Sequence, residues 1–236
     1  MYPILIVAII FLAVFTQSLT GFGSALVSMA LLPVIMDIRT ATPLVALVGG
    51  TLEILLLLRY RRALNLRAVW RMTAASVLGV PLGVLALRQV DERLMLTLLG
   101  LVISLYAIYA LLNLRTPELR HPAWAYGLGF LGGAFGGAYN TSGPPVIIYG
   151  NARCWLPAEF KSNLQGFFLF NSVLVIAGHL LSHNITPLVW GDYLMTLPAI
   201  LLGILAGISL DRVVDPNTFR RIVLWFLVVL GLRLII

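Results

Sequence analysis

Gly132, Gly133, Gly136, Gly137 and Gly143 crowd into twelve residues around Tyr139, Asn140, Thr141 and Ser142, and Pro144 and Pro145 follow at once. A continuous helix does not tolerate that run: glycine and proline both weaken it, and neither proline has an N–H to give. The same prolines fit the first turn of a helix that starts after a break. A half-helix beginning near Ser142 to Pro145 would turn its N-terminal N–H groups and positive dipole end toward the break, beside the side chains of Asn140, Thr141 and Ser142. That is the chemistry of an anion site. A second stretch near the beginning of the chain, Gln17-Ser18-Leu19-Thr20-Gly21-Phe22-Gly23-Ser24, has fewer glycines but the same expected break and the same small hydroxyls.

Few other residues could do chemistry away from the ends of the apolar stretches. Glu53 lies in ALVGGTLEILLLL and His179 in VLVIAGHLLS. An ionisable group in such surroundings marks a pathway or a proton relay, or else a structural partner to an arginine or a backbone donor. Glu53 is thus a candidate coupling carboxylate, and His179 a candidate proton carrier or an interfacial residue. Gln165 and Asn171 are uncharged groups that line a path or bond helix to helix. Gly49, Gly50, Gly79, Gly83, Gly203 and Gly207 read as helix-packing positions.

No Walker loop, HExxH or paired-cysteine spacing occurs, so neither a nucleotide motor nor a metal centre is indicated. The glycine runs lack the lysine and the strand that a nucleotide loop requires. No catalytic residue, metal or cofactor is expected. Cys154 is the sole cysteine, which rules out an intrachain disulfide.

The elements that carry these residues follow from composition. In 236 residues, 60% are hydrophobic and 11% charged, with a mean hydropathy of +0.99. That is far more apolar surface than one soluble core buries. Apolar blocks run over about 3–36, 40–58, 70–87, 94–114, 122–152, 162–182, 186–210 and 219–236. The expectation is an all-α polytopic membrane protein of about eight hydrophobic blocks. The first and fifth blocks, 34 and 31 residues long, would reach roughly 50 Å as straight helices against a hydrocarbon core of about 30 Å. They are expected to be broken or re-entrant. The opening segment has no basic leader or small-residue cleavage site and reads as structure.

Two repeats, 1–118 and 119–236, account for why the odd blocks are first and fifth. Phe22-Gly23 precedes Phe135-Gly136 by 113 residues, and the pair Trp70 and Gly83 recurs as Trp190 and Gly203 at an offset of 120. Charge tests the orientation. With eight single crossings, the sixteen Lys and Arg residues divide eight to eight. If the fifth block leaves on the side it entered, Arg59, Arg61, Arg62, Arg67, Arg71, Arg115, Arg120, Arg153, Lys161, Arg212, Arg220 and Arg221 share one side, a division of twelve to four. Inverted repeats with the twelve-charge side cytoplasmic are the preferred reading; eight plain spans in parallel repeats are the alternative. The net charge of +7 is topology in this reading, without a basic stripe to suggest nucleic acid.

With TGFGSALVSMALLP in the first block and GGAFGGAYNTSGPPVIIYG in the fifth, in a chain of this length with two four-block halves, the sequence resembles the sulfite exporter TauE/SafE family of membrane permeases. The resemblance covers essentially the whole chain. It implies a multi-pass protein of the bacterial inner membrane that moves a sulfur-containing or organic anion, such as sulfite, sulfoacetate or another sulfonate, coupled to protons. Carried over by position, its functional residues are Thr20, Gly21, Phe22 and Gly23 with Gly136, Gly137, Asn140, Thr141, Ser142, Gly143 and Pro144. The residue reading adds Gln17, Ser24 and Tyr139. The partners expected are a small anion, protons and the lipid bilayer, with a homo-oligomer left open. An anion channel or passive pore and a non-transporting scaffold subunit are the competing functions.

Overall fold

The computed structural model describes residues 2–113, 117–210 and 215–236. Among the described residues are ten α-helices: α1 (Tyr2–Thr20), α2 (Ser24–Leu31), α3 (Ile38–Tyr60), α4 (Leu66–Gln89), α5 (Glu92–Leu111), α6 (Ala123–Tyr139), α7 (Gly143–Ala152), α8 (Pro157–Leu181), α9 (Pro187–Leu210) and α10 (Pro216–Ile235). The first and fifth blocks are each two helices, α1 with α2 and α6 with α7. Among the described residues, α1, α3, α4, α5, α8 and α9 are long and apolar enough to cross a membrane. Helix α10 carries Arg220, Arg221 and Arg233, which lowers its apolarity.

Local chemistry sets several boundaries. Asp37 begins α3 by accepting from the Arg39 N–H at 2.6 Å. Asp91 begins α5 by accepting from the N–H groups of Arg93 and Leu94, and Asp215 begins α10 by accepting from Asn217 and Thr218. Each satisfies first-turn donors that have no partner in their own helix.

Glycine decides how closely the helices approach. In α4, Gly79 lies against Phe130 and Ala134 of α6, and Gly83 against Ala134 and Ala138. The residue numbers rise together, so α4 and α6 run parallel. Helices α1 and α9 do the same, with Gly203 against Phe11 and Val14 and Gly207 against Phe15 and Ser18. By contrast, α3 and α8 run antiparallel: Gly50 faces Ile176 while Glu53 bonds Ser172. Helices α5 and α10 are also antiparallel, with Gly231 against Ser104 and the Arg93 guanidinium donating to the Ile236 carbonyl. These four directions hold together only if α2 and α7 fold back toward the ends where α1 and α6 began. A single crossing by each broken block would make α3 and α8 parallel.

The loops gather accordingly. At one end, Asn65 bonds Glu159 and Asn163, and Arg153 donates to the Leu119 carbonyl at 3.1 Å. At the other, Arg39 donates to the carbonyls of Leu87 and Val90. Arg115 and Arg212 lie outside the described residues. Leucines such as Leu78 and Leu205 point outward from α4 and α9, and Trp70, Trp124 and Trp190 stand exposed near helix starts. Outward apolar surface of this extent with tryptophans at its edges is a lipid-facing belt.

Candidate functional site

The first break spans residues 21–23, where Gly21 and Gly23 hold φ values of 91° and 109°. Only glycine adopts the second of these without strain. The second break is made by Asn140, left-handed at φ 53°, whose N–H caps α6 by donating to the Gly136 carbonyl at 2.7 Å. Its side chain is spent on the scaffold: Nδ2 donates to the Val45 carbonyl at 3.0 Å, pinning the break to α3 where that helix presents Gly49.

The two breaks, far apart in sequence, wall one cavity. Gln17, Phe22, Gly23, Ser24, Ala25 and Leu26 line it from the first, Asn140, Thr141, Ser142 and Gly143 from the second, and Glu53 and Phe168 close it from α3 and α8. Its free volume is about 20 Å³, above the roughly 10–15 Å³ that one water needs. It has room for about one water-sized group.

The donors in it are neutral and fixed. Gln17 Oε1 accepts from both the Ser24 N–H and the Ser24 hydroxyl, which anchors the start of α2. That leaves Gln17 Nε2 buried with no partner among the described residues, and Thr141 Oγ1 is in the same condition. Buried polar atoms are usually paired; of the eleven unpartnered side-chain atoms buried among the described residues, these two belong to residues that line this cavity. The starts of α2 and α7 both border the cavity, at Ser24 to Leu26 and at Gly143. First-turn N–H groups have no acceptor in their own helix, and the positive dipole ends favour an anion. The lining contains no Lys or Arg. Its one charged group is Glu53, 7% exposed, whose Oε2 accepts from the Ser172 hydroxyl at 2.5 Å.

The remaining expected residues divide by position. Gln165 donates to the Gly21 carbonyl at 2.8 Å and so braces the first break. The Asn171 amide packs against Gly136, and Gly137 against Val80; these three support the second break from behind. Tyr139 turns away, its hydroxyl 3.6 Å from Met95 Sδ. Pro144 is buried in the first turn of α7 without joining the lining. Thr20 faces an outer cleft together with Phe22. His179 is fully buried, its Nδ1 3.0 Å from Asn184 Nδ2, and does not line the cavity. Sequence reasoning missed Phe168 and Ser172. A signal existed, because Gln165, Phe168 and Ser172 fall at i, i+3 and i+7 on one face of α8.

Discontinuous helices whose starts meet at a small buried polar cavity, inside a bundle with a lipid-facing exterior, define a polytopic membrane protein of the transporter class. The family model described as sulfite exporter TauE/SafE matches residues 6–234, and the chain belongs to that family. It is also similar to the probable inner membrane transporter protein TsaS of Comamonas testosteroni, at 29% identity over 178 residues, covering 72% of this chain and 74% of that one. No solved structure matches the chain.

Proposed function

We propose that this protein is a secondary transporter of a small sulfur-containing or organic oxyanion, sulfite or a sulfonate such as sulfoacetate, in a bacterial inner membrane. The observation that carries the reading is the convergence of Gln17 and Thr141, each with an unpartnered buried polar atom, on one cavity between two helix starts. Neutral donors hold an anion firmly enough to select it and loosely enough to release it, which a carrier requires. The family description names sulfite export, and the relative's name supports transport in an inner membrane.

The two halves, 1–118 and 119–236, are inverted repeats in this reading. Equivalent helices α3 and α8, and α5 and α10, run antiparallel, as a two-fold axis in the membrane plane demands. The twelve-cation end is then cytoplasmic.

Coupling to protons runs through Glu53. Two like charges about 4 Å apart repel by roughly 4 kcal/mol at an effective dielectric constant of 20. The anion therefore enters the cavity when the Glu53 carboxyl holds its proton, and anion and proton travel in the same direction. Gradients set which direction that is.

The test is flux of sulfite and methanesulfonate into proteoliposomes with and without a pH gradient. Saturable uptake that accelerates exchange of labelled anion from the opposite side is expected. Absence of flux for either anion overturns the assignment, and non-saturating flux without counterflow replaces the carrier with a passive pore.

A further inference from the structure

Phe22 is a partition as well as a lining residue. One face of its surroundings is the central cavity with Gln17 and Asn140. Another is a cleft of about 390 Å³ bordered by Thr20, Asn151, Trp155, Lys161, Asn217 and Arg220. This outer cleft lies among the α7–α8 connection and the start of α10, at the end of the bundle where Arg153 and Asn65 make their loop contacts.

The chemistry of that cleft is cationic. Lys161 and Arg220 face it with two carboxamides, Asn151 and Asn217, and no acid is among its described lining residues. The acid nearest Arg220 in sequence, Asp215, is engaged as the cap of α10, where bonds from Thr218 and Asn217 hold its carboxyl below the usual carboxylate range. Among the described residues Arg220 forms no salt bridge. Its guanidinium lies 5.3 Å over the Phe22 ring and beside the Tyr106 hydroxyl, yet Arg220 Nε and the Tyr106 hydroxyl are both buried without a well-formed hydrogen bond. An arginine held by an aromatic face, with donor capacity left over, is arranged to take a second, charged partner.

The wall can move. Phe22 stands between Gly21 and Gly23, both at positive φ, so the ring hangs on the two backbone positions with the widest conformational freedom in the break. The stem of Lys161 packs over Gly21, where an added Cβ would come within 3.3 Å of Lys161 Cγ. Cleft, hinge and partition are therefore one mechanical unit.

We propose that the outer cleft is a second anion site, in which Lys161 and Arg220 collect a small oxyanion at the twelve-cation end and from which it passes to the central cavity when Phe22 swings aside. The inference rests on the transport reading above for its direction of traffic, but the cleft's binding of an anion is separable from it. Arginine offers a planar fork that matches a sulfonate or sulfite, and two flanking cations raise its local concentration. The same chemistry would also hold a lipid phosphate; the proposal is the free anion.

Trp155 in the lining supplies a direct readout. In the full chain solubilised in a zwitterionic detergent, titration with methanesulfonate or sulfite is expected to change tryptophan emission, with the response lost in Trp155→Phe. Arg220→Gln should weaken that response about tenfold, the size of a lost hydrogen bond to a charged group, and Arg220→Lys should recover part of it. If Arg220→Gln does not fold, Lys161→Gln makes the same test. Thr141→Val, which removes the unpartnered hydroxyl from the central cavity, should leave the Trp155 response in place while flux falls. In oriented proteoliposomes, Arg220→Gln should raise KM about tenfold for anion presented at the twelve-cation face and change it less than about twofold at the other. No anion-dependent emission from Trp155, or equal KM changes at both faces, overturns the second site. A response to phosphatidylglycerol vesicles but to neither small anion gives the cleft to lipid and also overturns it. Binding at Trp155 without flux keeps this site and defeats the transport reading; flux without binding at Trp155 does the reverse.

Discussion

Ser172 donates its hydroxyl to Glu53 Oε2 at 2.5 Å across the antiparallel contact of α3 and α8, joining residues 119 apart in sequence. Glu53 lines the central cavity, and Ser172, outside the lining, holds its carboxyl. Placing a titratable group there, and fixing its rotamer with a neutral partner in preference to an arginine, makes the charge in the cavity depend on a proton.

The first prediction concerns that proton. Methanesulfonate keeps its charge across the accessible pH range, so any pH dependence of its flux belongs to the protein. Protonated Glu53 admits the anion and ionised Glu53 excludes it, so flux should fall as pH rises. Glu53→Gln should flatten the profile and retain counterflow while losing acceleration by a pH gradient. A variant that still concentrates anion against its gradient when the pH gradient is imposed would remove Glu53 from the coupling role.

A second prediction separates binding from architecture at Gln17. In Gln17→Glu the acceptor for Ser24 survives and, at a pH where the new carboxyl is ionised, the unpartnered Nε2 donor is replaced by an oxygen that only accepts and that repels an anion. Loss of a hydrogen bond to a charged ligand is worth about 1.5–3 kcal/mol, so KM should rise at least about tenfold. Thermal unfolding in detergent should move little by comparison. An unchanged KM would show that this amide does not touch the substrate.

Packing gives the third. A Cβ at Gly137 would run into the Val80 carbonyl and Val84 N of α4, and one at Gly83 into the Ala134 and Ala138 backbone of α6. Backbone does not yield as a side-chain tip does. Gly137→Ala and Gly83→Ala should each cost about 1–3 kcal/mol and lower the unfolding temperature. Gly127→Ala and Gly191→Ala meet nothing within 4 Å and serve as the comparison; equal effects in all four would mean that the α4–α6 contact is not held by close approach.

The fourth concerns His179. Its burial and its contact with Asn184 tie it to the end of α8 and the turn that follows, away from the residues that line the cavity. His179→Gln should leave the KM for anion within about twofold while lowering stability. A large KM change would place His179 on the pathway after all.

Much of this protein was legible in the residues. Length and apolarity of the blocks committed the chain to a helical membrane fold, because hydrocarbon offers the backbone no partners. Gly143-Pro144-Pro145 marked the start of α7 through the chemistry of a helix first turn, and the glycines around Tyr139 marked the break before it. Ser24, Asn140, Thr141 and Ser142, which line the cavity, stand out in the sequence as small polar residues beside glycine within an apolar segment, whereas Phe22 was named through the family resemblance.

Tertiary structure decided which of those residues work together. No local pattern distinguishes Asn140, committed to the Val45 carbonyl, from Thr141, whose hydroxyl is left open, because the difference lies in what α3 happens to present. Sequence spacing likewise placed His179 and Glu53 on an equal footing, and only the antiparallel register of α3 on α8 put one beside the cavity and the other apart. Ser172, Phe168 and the Arg220 contact with Phe22 depend on helices brought together from opposite halves of the chain. Periodicity assigns a residue to a face; which neighbour that face meets is settled by how closely glycine lets the helices approach.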